Sequence, residues 1–339
     1  MKHFNILLTL LLCFVLTFFS SIPSLATPGE SGAFDDVEMS AWYAPAVAQC
    51  AERGVMVGVG AGRFEPERTL NEPECLTLAL RLYLLCRGED GALEAAPEDW
   101  GRMVFVTADG TEIARYADEI SWLVFGRAGG WYPALRLETE EALAWGRRLD
   151  GTEAGLHFAG ESWPGTARFH SFRSDLNYLY WTFDRDAGPT EAQFLSMQQR
   201  FPGPSRWYRD AYWNAEHLGL TETPGFAELA QMTWLGSYND PAYAENVQPP
   251  VCTRLNFACA VAAASGELEP LHPVEAIPNV PREDDPSMTP TQIEAVYKLY
   301  AAGILQGVDA QGSFAPQRSL TRAEAAAMVA RVLDPEQRV

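Results

Sequence analysis

The sequence predicts an α+β chain: three diverged helix–loop–helix repeats make a helical unit, and a β-rich segment interrupts it. Three observations lead there. A stretch in the first third of the chain is a diverged copy of one near its end. In both, apolar residues recur with the 3.6-residue period of a helix. Between them the period drops to the 2 of a strand.

Laying Gly54 to Leu82 over Gly303 to Val332, with Gln311 as the single insertion, pairs identical residues at Gly54/Gly303, Gly58/Gly307, Val59/Val308 and Phe64/Phe314. The identities continue through Pro66/Pro316, Arg68/Arg318, Leu70/Leu320, Glu74/Glu324 and Arg81/Arg331. A third, weaker copy lies between them. Trp207-Tyr208 repeats Trp42-Tyr43, Gly219 follows at the same spacing as Gly54, and Thr253-Arg254 corresponds to Thr321-Arg322. Each copy reads as helix, loop, helix. In the second helices the stripe is Cys75, Leu78, Ala79, Leu82, then Phe257, Ala260, Val261, Ala264, then Ala325, Met328, Val329, Val332. The first helices carry shorter stripes, Ala46-Val47-Cys50, Ala211-Tyr212-Ala215 and Ala295-Val296-Leu299. Gly54, Gly219 and Gly303 stand at the ends of those first helices, where a left-handed residue is needed.

Thr321-Arg322-Ala323-Glu324 has the form of a capping box, and Asn71-Glu72-Pro73-Glu74 keeps the same logic with an Asn cap. Capping explains the Thr and the Glu. It leaves Arg322 and Arg254 unexplained, because a helix N-terminus disfavours a cation. Both are therefore candidate binding residues; the other reading is an arginine tying down a neighbouring carbonyl or carboxylate. With the cap supplied by Thr321 and Glu324, loss of the Arg322 guanidinium is expected to leave thermal stability nearly unchanged.

These motifs resemble the S-layer homology domain. The likeness lies in Phe34 to Val37 (FDDV) with Trp42 and Tyr43, in the G-x3-G turns, in GRFEP and GSFAP, and in TRAE at Thr321 to Glu324; Ile277 to Val280 (IPNV) resembles a degraded FxDV opening. The resemblance implies three repeats packed as a pseudo-threefold helical domain that binds acidic, often pyruvylated, secondary cell-wall polysaccharide. It thereby implies noncovalent anchoring of an exported protein on a Gram-positive-type cell surface, with S-layer or other surface proteins as neighbours. It places ligand binding in grooves between repeats, which maps onto Arg322, Arg254, Trp42, Trp207, Gly58 and Gly307. A guanidinium suits a pyruvate ketal, whose carboxylate it engages bidentately. The chain departs from the pattern at Glu72, where an arginine is expected, and at Thr291, where a tryptophan is expected. The second copy also has 34 residues between Gly219 and Thr253, against 17 between Gly54 and Asn71.

The expected organisation is a signal peptide at 1–26, repeats at 33–87, 205–269 and 270–335, and the β-rich insert at 88–204. The leader is read from Lys2 and His3, the apolar run Ile6 to Phe19, and the small residues of Ser24-Leu25-Ala26. Within the insert, strands are expected at Met103 to Val106, Thr111 to Tyr116, Ser121 to Phe125, Trp131 to Leu137, Leu156 to Ala159, Thr166 to Phe172 and Asn177 to Phe183. Helices are expected at Thr139 to Leu149 and Thr190 to Arg200. Its dense aromatics read mainly as core. Asp184, Asp186 and Glu161 leave a glycan hydrolase open as an alternative, and a purely structural scaffold is a third reading. The sequence reads best as a binding protein without catalytic residues, metal or cofactor.

Composition narrows the partners. With 25 Lys+Arg against 45 Asp+Glu the formal net charge is −20, which excludes a basic nucleic-acid binder. Past the leader, no stretch reaches the roughly 20 apolar residues of a membrane span. Five cysteines remain beyond the leader, an odd and sparse set that reads as buried thiols rather than a disulfide framework.

Overall fold

The computed structural model describes residues 34–98, 100, 102–107, 110, 112–116, 134–136, 153–158, 161–173, 178–183, 207–230, 249–281 and 287–339. Six longer helices form three pairs. In the first copy these are α1 (Ala44–Glu52) and α2 (Glu72–Leu85). In the second they are α3 (Arg209–His217) and α5 (Arg254–Ala264), with a short α4 (Ala227–Ala230) between them. The third has α6 (Pro290–Ala301) and α7 (Arg322–Leu333). Each second helix packs on the first helix of the next copy: α2 on α3, α5 on α6, and α7 back on α1.

The stripes face a single core, and all twelve second-helix positions named above are buried. Gly54, Gly219 and Gly303 each adopt φ 68° after their helices, a conformation that costs glycine little and other residues more. Both capping boxes form. Glu74 N donates to Asn71 Oδ1 at 2.9 Å while Asn71 N donates to Glu74 Oε2 at 3.0 Å. Thr321 and Glu324 repeat the exchange at 3.3 and 3.1 Å. In the second copy only the forward bond exists, Asn256 N to Thr253 Oγ1 at 3.1 Å.

A closed ring of three backbone hydrogen bonds and a second, equivalent set of three join the copies. Leu70 N donates to Leu320 O (3.0 Å), Leu320 N to Cys252 O (3.2 Å) and Cys252 N to Leu70 O (2.8 Å). Two residues further along, Glu72 N donates to Pro250 O (2.9 Å), Arg254 N to Arg318 O (2.8 Å) and Arg322 N to Arg68 O (2.9 Å). These bonds make Leu70, Cys252 and Leu320 equivalent, and likewise Glu72, Arg254 and Arg322.

Six strands form one antiparallel sheet in the order β2-β1-β4-β5-β6-β3. They are β1 (Arg102–Thr107), β2 (Glu112–Tyr116), β3 (Ala134–Arg136), β4 (Glu153–Phe158), β5 (Glu161–Arg173) and β6 (Tyr178–Phe183). The strand expected at 121–125 and the helices expected at 139–149 and 190–200 lie outside the described residues.

Residues that precede the sheet still belong to the helical unit. Arg209, at the start of α3, donates to Ala96 O (3.2 Å), Pro97 O (2.6 Å) and Trp100 O (2.7 Å). Asn214 exchanges hydrogen bonds with Glu94 at 2.8 and 3.2 Å, and Leu93 and Trp100 pack on the core. This strap runs past Gly88, where the insert was expected to begin.

The five cysteines described are free thiols. Cys50, Cys75, Cys252 and Cys259 are buried as expected, but Cys86 is exposed, because it follows the last turn of α2. No helix among the described residues is long and apolar enough to cross a membrane.

Candidate ligand-binding grooves

Two grooves are built from the start of one copy's second helix, the first helix of the next copy and that copy's loop; the loop of the second copy lies largely outside the described residues. Arg322, 7% exposed, reaches from α7 into the first copy: its Nε donates to Phe64 O at 2.7 Å and its Nη2 to Val57 O at 2.8 Å. The guanidinium lies over the Phe64 ring, 4.5 Å from its centroid. Arg254, 5% exposed, does the same one copy away. Its Nε donates to Phe314 O at 3.0 Å and its Nη2 to Gln306 O at 2.6 Å, with the Phe314 ring at 5.5 Å. Burial lowers the pKa of both guanidiniums, yet arginine stays charged.

These contacts overturn the expectation that Arg322 is thermally neutral. A buried guanidinium holding two carbonyls of another repeat is part of the packing. The bonds use two of the five N–H donors of a guanidinium. Arg322 braces the loop through Nε and Nη2, and no partner for its Nη1 stands among the described residues.

Gly58 and Gly307 line the loops those arginines hold, and close approach is why they are glycines. A Cβ at Gly58 would sit 2.8 Å from Arg63 O and from the Phe34 ring, and one at Gly307 would overlap the backbone of Gly312. Phe64 and Phe314 are both fully buried, and the residues after them, Glu65 and Ala315, take φ 56° and 51°. The carboxylate of Asp36 caps the first loop by accepting from Phe64 N (2.7 Å) and Glu65 N (2.8 Å). Partial burial works against it, but these donors hold Asp36 below the usual carboxylate range. In the degraded opening, Pro278 O takes over by accepting from Phe314 N at 3.1 Å.

The tryptophans share one geometry. Trp42, 63% exposed, meets Tyr43 edge-on at 5.4 Å, and Trp207, 61% exposed, meets Tyr208 edge-on at 5.4 Å. Helix pairing distributes them unevenly. Trp42 heads α1, on which α7 packs, so Arg322, Gly58 and Trp42 share one groove. Arg254 and Gly307 share a second with α6, where Thr289 and Gln292 form a capping box and Thr291 takes the expected place of tryptophan. Trp207 heads α3, on which α2, the helix that begins at Glu72, packs.

The reading of an arginine tying down a carbonyl holds at Arg322 and Arg254, but the sequence did not say which carbonyls, and it missed the phenylalanine rings, although the repeated Phe of GRFEP and GSFAP marked the position. It also missed Arg209, which no repeat or period marks. Among the described residues no cluster of His, Cys, Asp and Glu suits a metal ion.

No curated protein and no solved structure matches the chain. The S-layer homology domain family model matches residues 33–71 and 283–326, the stretches that hold the first loop with Trp42 and the third loop with Arg322. These two stretches are thus similar to the S-layer homology domain, with a gap between them.

Proposed function

We propose that this chain is an exported surface protein held noncovalently on the cell wall, its inter-repeat grooves gripping an acidic, pyruvylated secondary polysaccharide. S-layer homology domains anchor proteins to the cell wall and are binding rather than catalytic domains. The observation that carries the reading further is the Arg322 groove. A charged guanidinium is pre-set by Phe64 O and Val57 O, retains its Nη1 edge, and lies in the groove headed by the exposed indole of Trp42. The fixed fork suits a carboxylate, and the indole offers a face on which a sugar ring stacks. At net charge −20 the chain repels an acidic polymer at long range, so affinity rests on this local contact. In this reading the leader at 1–26 exports the chain, and the strands between Arg102 and Phe183 form a separate module carried between the first two repeats.

The test is co-sedimentation of the protein with cell-wall sacculi, before and after their secondary polymers are stripped, with reducing-sugar release followed in the same tubes. Binding that disappears on stripping, without sugar release, supports anchoring. Sugar release would transfer the function to the inserted segment.

A further inference from the structure

Of the five described cysteines, two meet across the junction of the first and second copies. Cys252 N donates to Leu70 O at 2.8 Å and Glu72 N to Pro250 O at 2.9 Å. Those bonds frame an antiparallel bridge between Asn71 and Val251, a pairing that brings opposed Cα atoms to about 4.5 Å. Val251 is 49% exposed, so the next side chain along the extended backbone, Cys252, turns inward, and it is fully buried. Cys75 lies one helical turn beyond Asn71, its N donating to Asn71 O at 3.0 Å, and it is fully buried on the core stripe of α2. Both side chains thus enter the core beneath one bridge. The Cys252 side chain stands within hydrogen-bond reach of the Cys75 thiol, whose pKa is raised well above the ordinary value by burial first and by this neighbour second. The equivalent positions at the other two junctions hold Leu320 with Phe257 and Leu70 with Ala325, which cannot cross-link.

We infer that Cys75 and Cys252 form a disulfide that ties the first repeat to the second across the inserted sheet. Bridged cysteines need Cα atoms roughly 4.4 to 6.8 Å apart, a span that the Asn71–Val251 bridge sets up. This is also the junction whose two sides are parted in sequence by all six strands. Closing so long a segment costs chain entropy, and a cross-link at its base restricts the unfolded chain and so favours the closed unit. The chemistry needs a disulfide oxidant. One cysteine attacks a sulfur of the oxidant and expels a thiolate; the other attacks the resulting mixed disulfide and expels the second, so two protein thiols lose two protons and two electrons and the oxidant becomes two thiols. In the folded chain both sulfurs are buried and the thiolate of Cys75 is scarce, so the exchange takes place during folding, before the core closes over the pair. An oxidising environment for that step rests on the reading that the chain is exported.

The experiment uses the full chain carrying Cys86→Ser, which removes the exposed thiol as a competitor. The chain is unfolded in urea with reductant and refolded in a glutathione redox buffer, with circular dichroism to confirm folding. It is then denatured, alkylated before and after reduction, and digested for mass spectrometry. Cys50 and Cys259 should be alkylated without reduction, Cys75 and Cys252 only after it, and their peptides should run joined in the unreduced digest. The oxidised chain should have a higher urea midpoint than Cys75→Ser in the same background, and reductant should erase the difference. A second preparation, exported into an oxidising bacterial periplasm and never unfolded, should carry the same joined peptides and needs no refolding. Free thiols at 75 and 252 in a folded preparation from either route, or a link from one of them to another cysteine, overturns the inference. Sacculus binding reports on the Arg322 groove separately, so a missing disulfide leaves the anchoring proposal standing and failed anchoring leaves the disulfide standing.

Discussion

The start of α7 at Arg322 and the start of α2 at Glu72 are framed by equivalent backbone bonds and share a capping box and an Arg–Glu pair, yet carry opposite charges at the first helical residue. Residues 68–74 and 318–324 carry an arginine, a cap and a glutamate; Arg68 donates to both carboxylate oxygens of Glu74 at 2.6 and 3.2 Å, and Arg318 donates to Glu324 Oε1 through Nη2. The corresponding stretch of the second copy has Pro250 and Asn256, so that pair and the return bond of its capping box are both missing. Backbone bonds persist through these changes because main-chain donors and acceptors do not depend on side chains. The frame therefore persists while the side chain at one equivalent position changes from arginine to glutamate.

Breaking the strongest groove should have the largest effect. Arg322→Ala removes two charge-assisted bonds and leaves buried carbonyls at Phe64 and Val57, a loss of about 3 kcal/mol. Arg254→Ala should cost less, about 2 kcal/mol, since its guanidinium lies farther from its ring, 5.5 against 4.5 Å. Urea unfolding measures both. A loss below about 1 kcal/mol for Arg322→Ala would mean that its carbonyl contacts are incidental to stability.

The two glycine loops give the next test. Gly307→Ala drives a Cβ into the backbone of Gly312, which has no rotamer to yield, and should cost about 3 kcal/mol. Gly58→Ala meets one carbonyl and the Phe34 ring, which can turn aside, and should cost about 1 kcal/mol. Equal melting-temperature losses would contradict the difference between the loops.

Repairing the divergent copy should sharpen the comparison from the other side. Asn256→Glu supplies the return bond to Thr253 N that Glu324 makes to Thr321 N, and should add about 0.5 to 1 kcal/mol in urea unfolding. No gain would show that the second copy lacks more than its glutamate.

Much of the frame was legible in the sequence, because it rests on local signals: apolar periods, cap residues and turn glycines each report on their own neighbourhood. Cys75 through Val332 fell on the buried faces their spacing predicts. What could not be read was contact across copies. Arg322 finds its carbonyls in a segment 258 residues away in sequence, and only folding joins them. The pairing of Arg254 with Thr291 follows from each second helix packing on the next copy's first helix. That order is a property of closure and leaves no mark on any single motif. Arg209 was silent for a related reason: its partners are backbone carbonyls of the strap, which carry no residue identity.

The smallest expected effect is a pH dependence that isolates Glu72. Its carboxyl titrates near 7 in the folded chain against an ordinary value near 4.5, and burial alone is the cause. A raised acid means that the folded state binds the proton more tightly than the unfolded chain does. The contribution of Glu72 to stability is therefore fully present below about pH 4.5 and is lost as pH rises through about 7. Asp36 shifts the opposite way, so its contribution is lost only as pH falls through its depressed pKa, below the Glu72 window. Glutamine at 72 cannot ionise. Urea midpoints of the parent and Glu72→Gln should lie close together at pH 4.5 and separate in favour of the variant by pH 8. Because the side chain is only half-buried, water screens part of the penalty and the separation should be modest. A gap that stays constant across that range would mean that Glu72 is solvated like any surface glutamate.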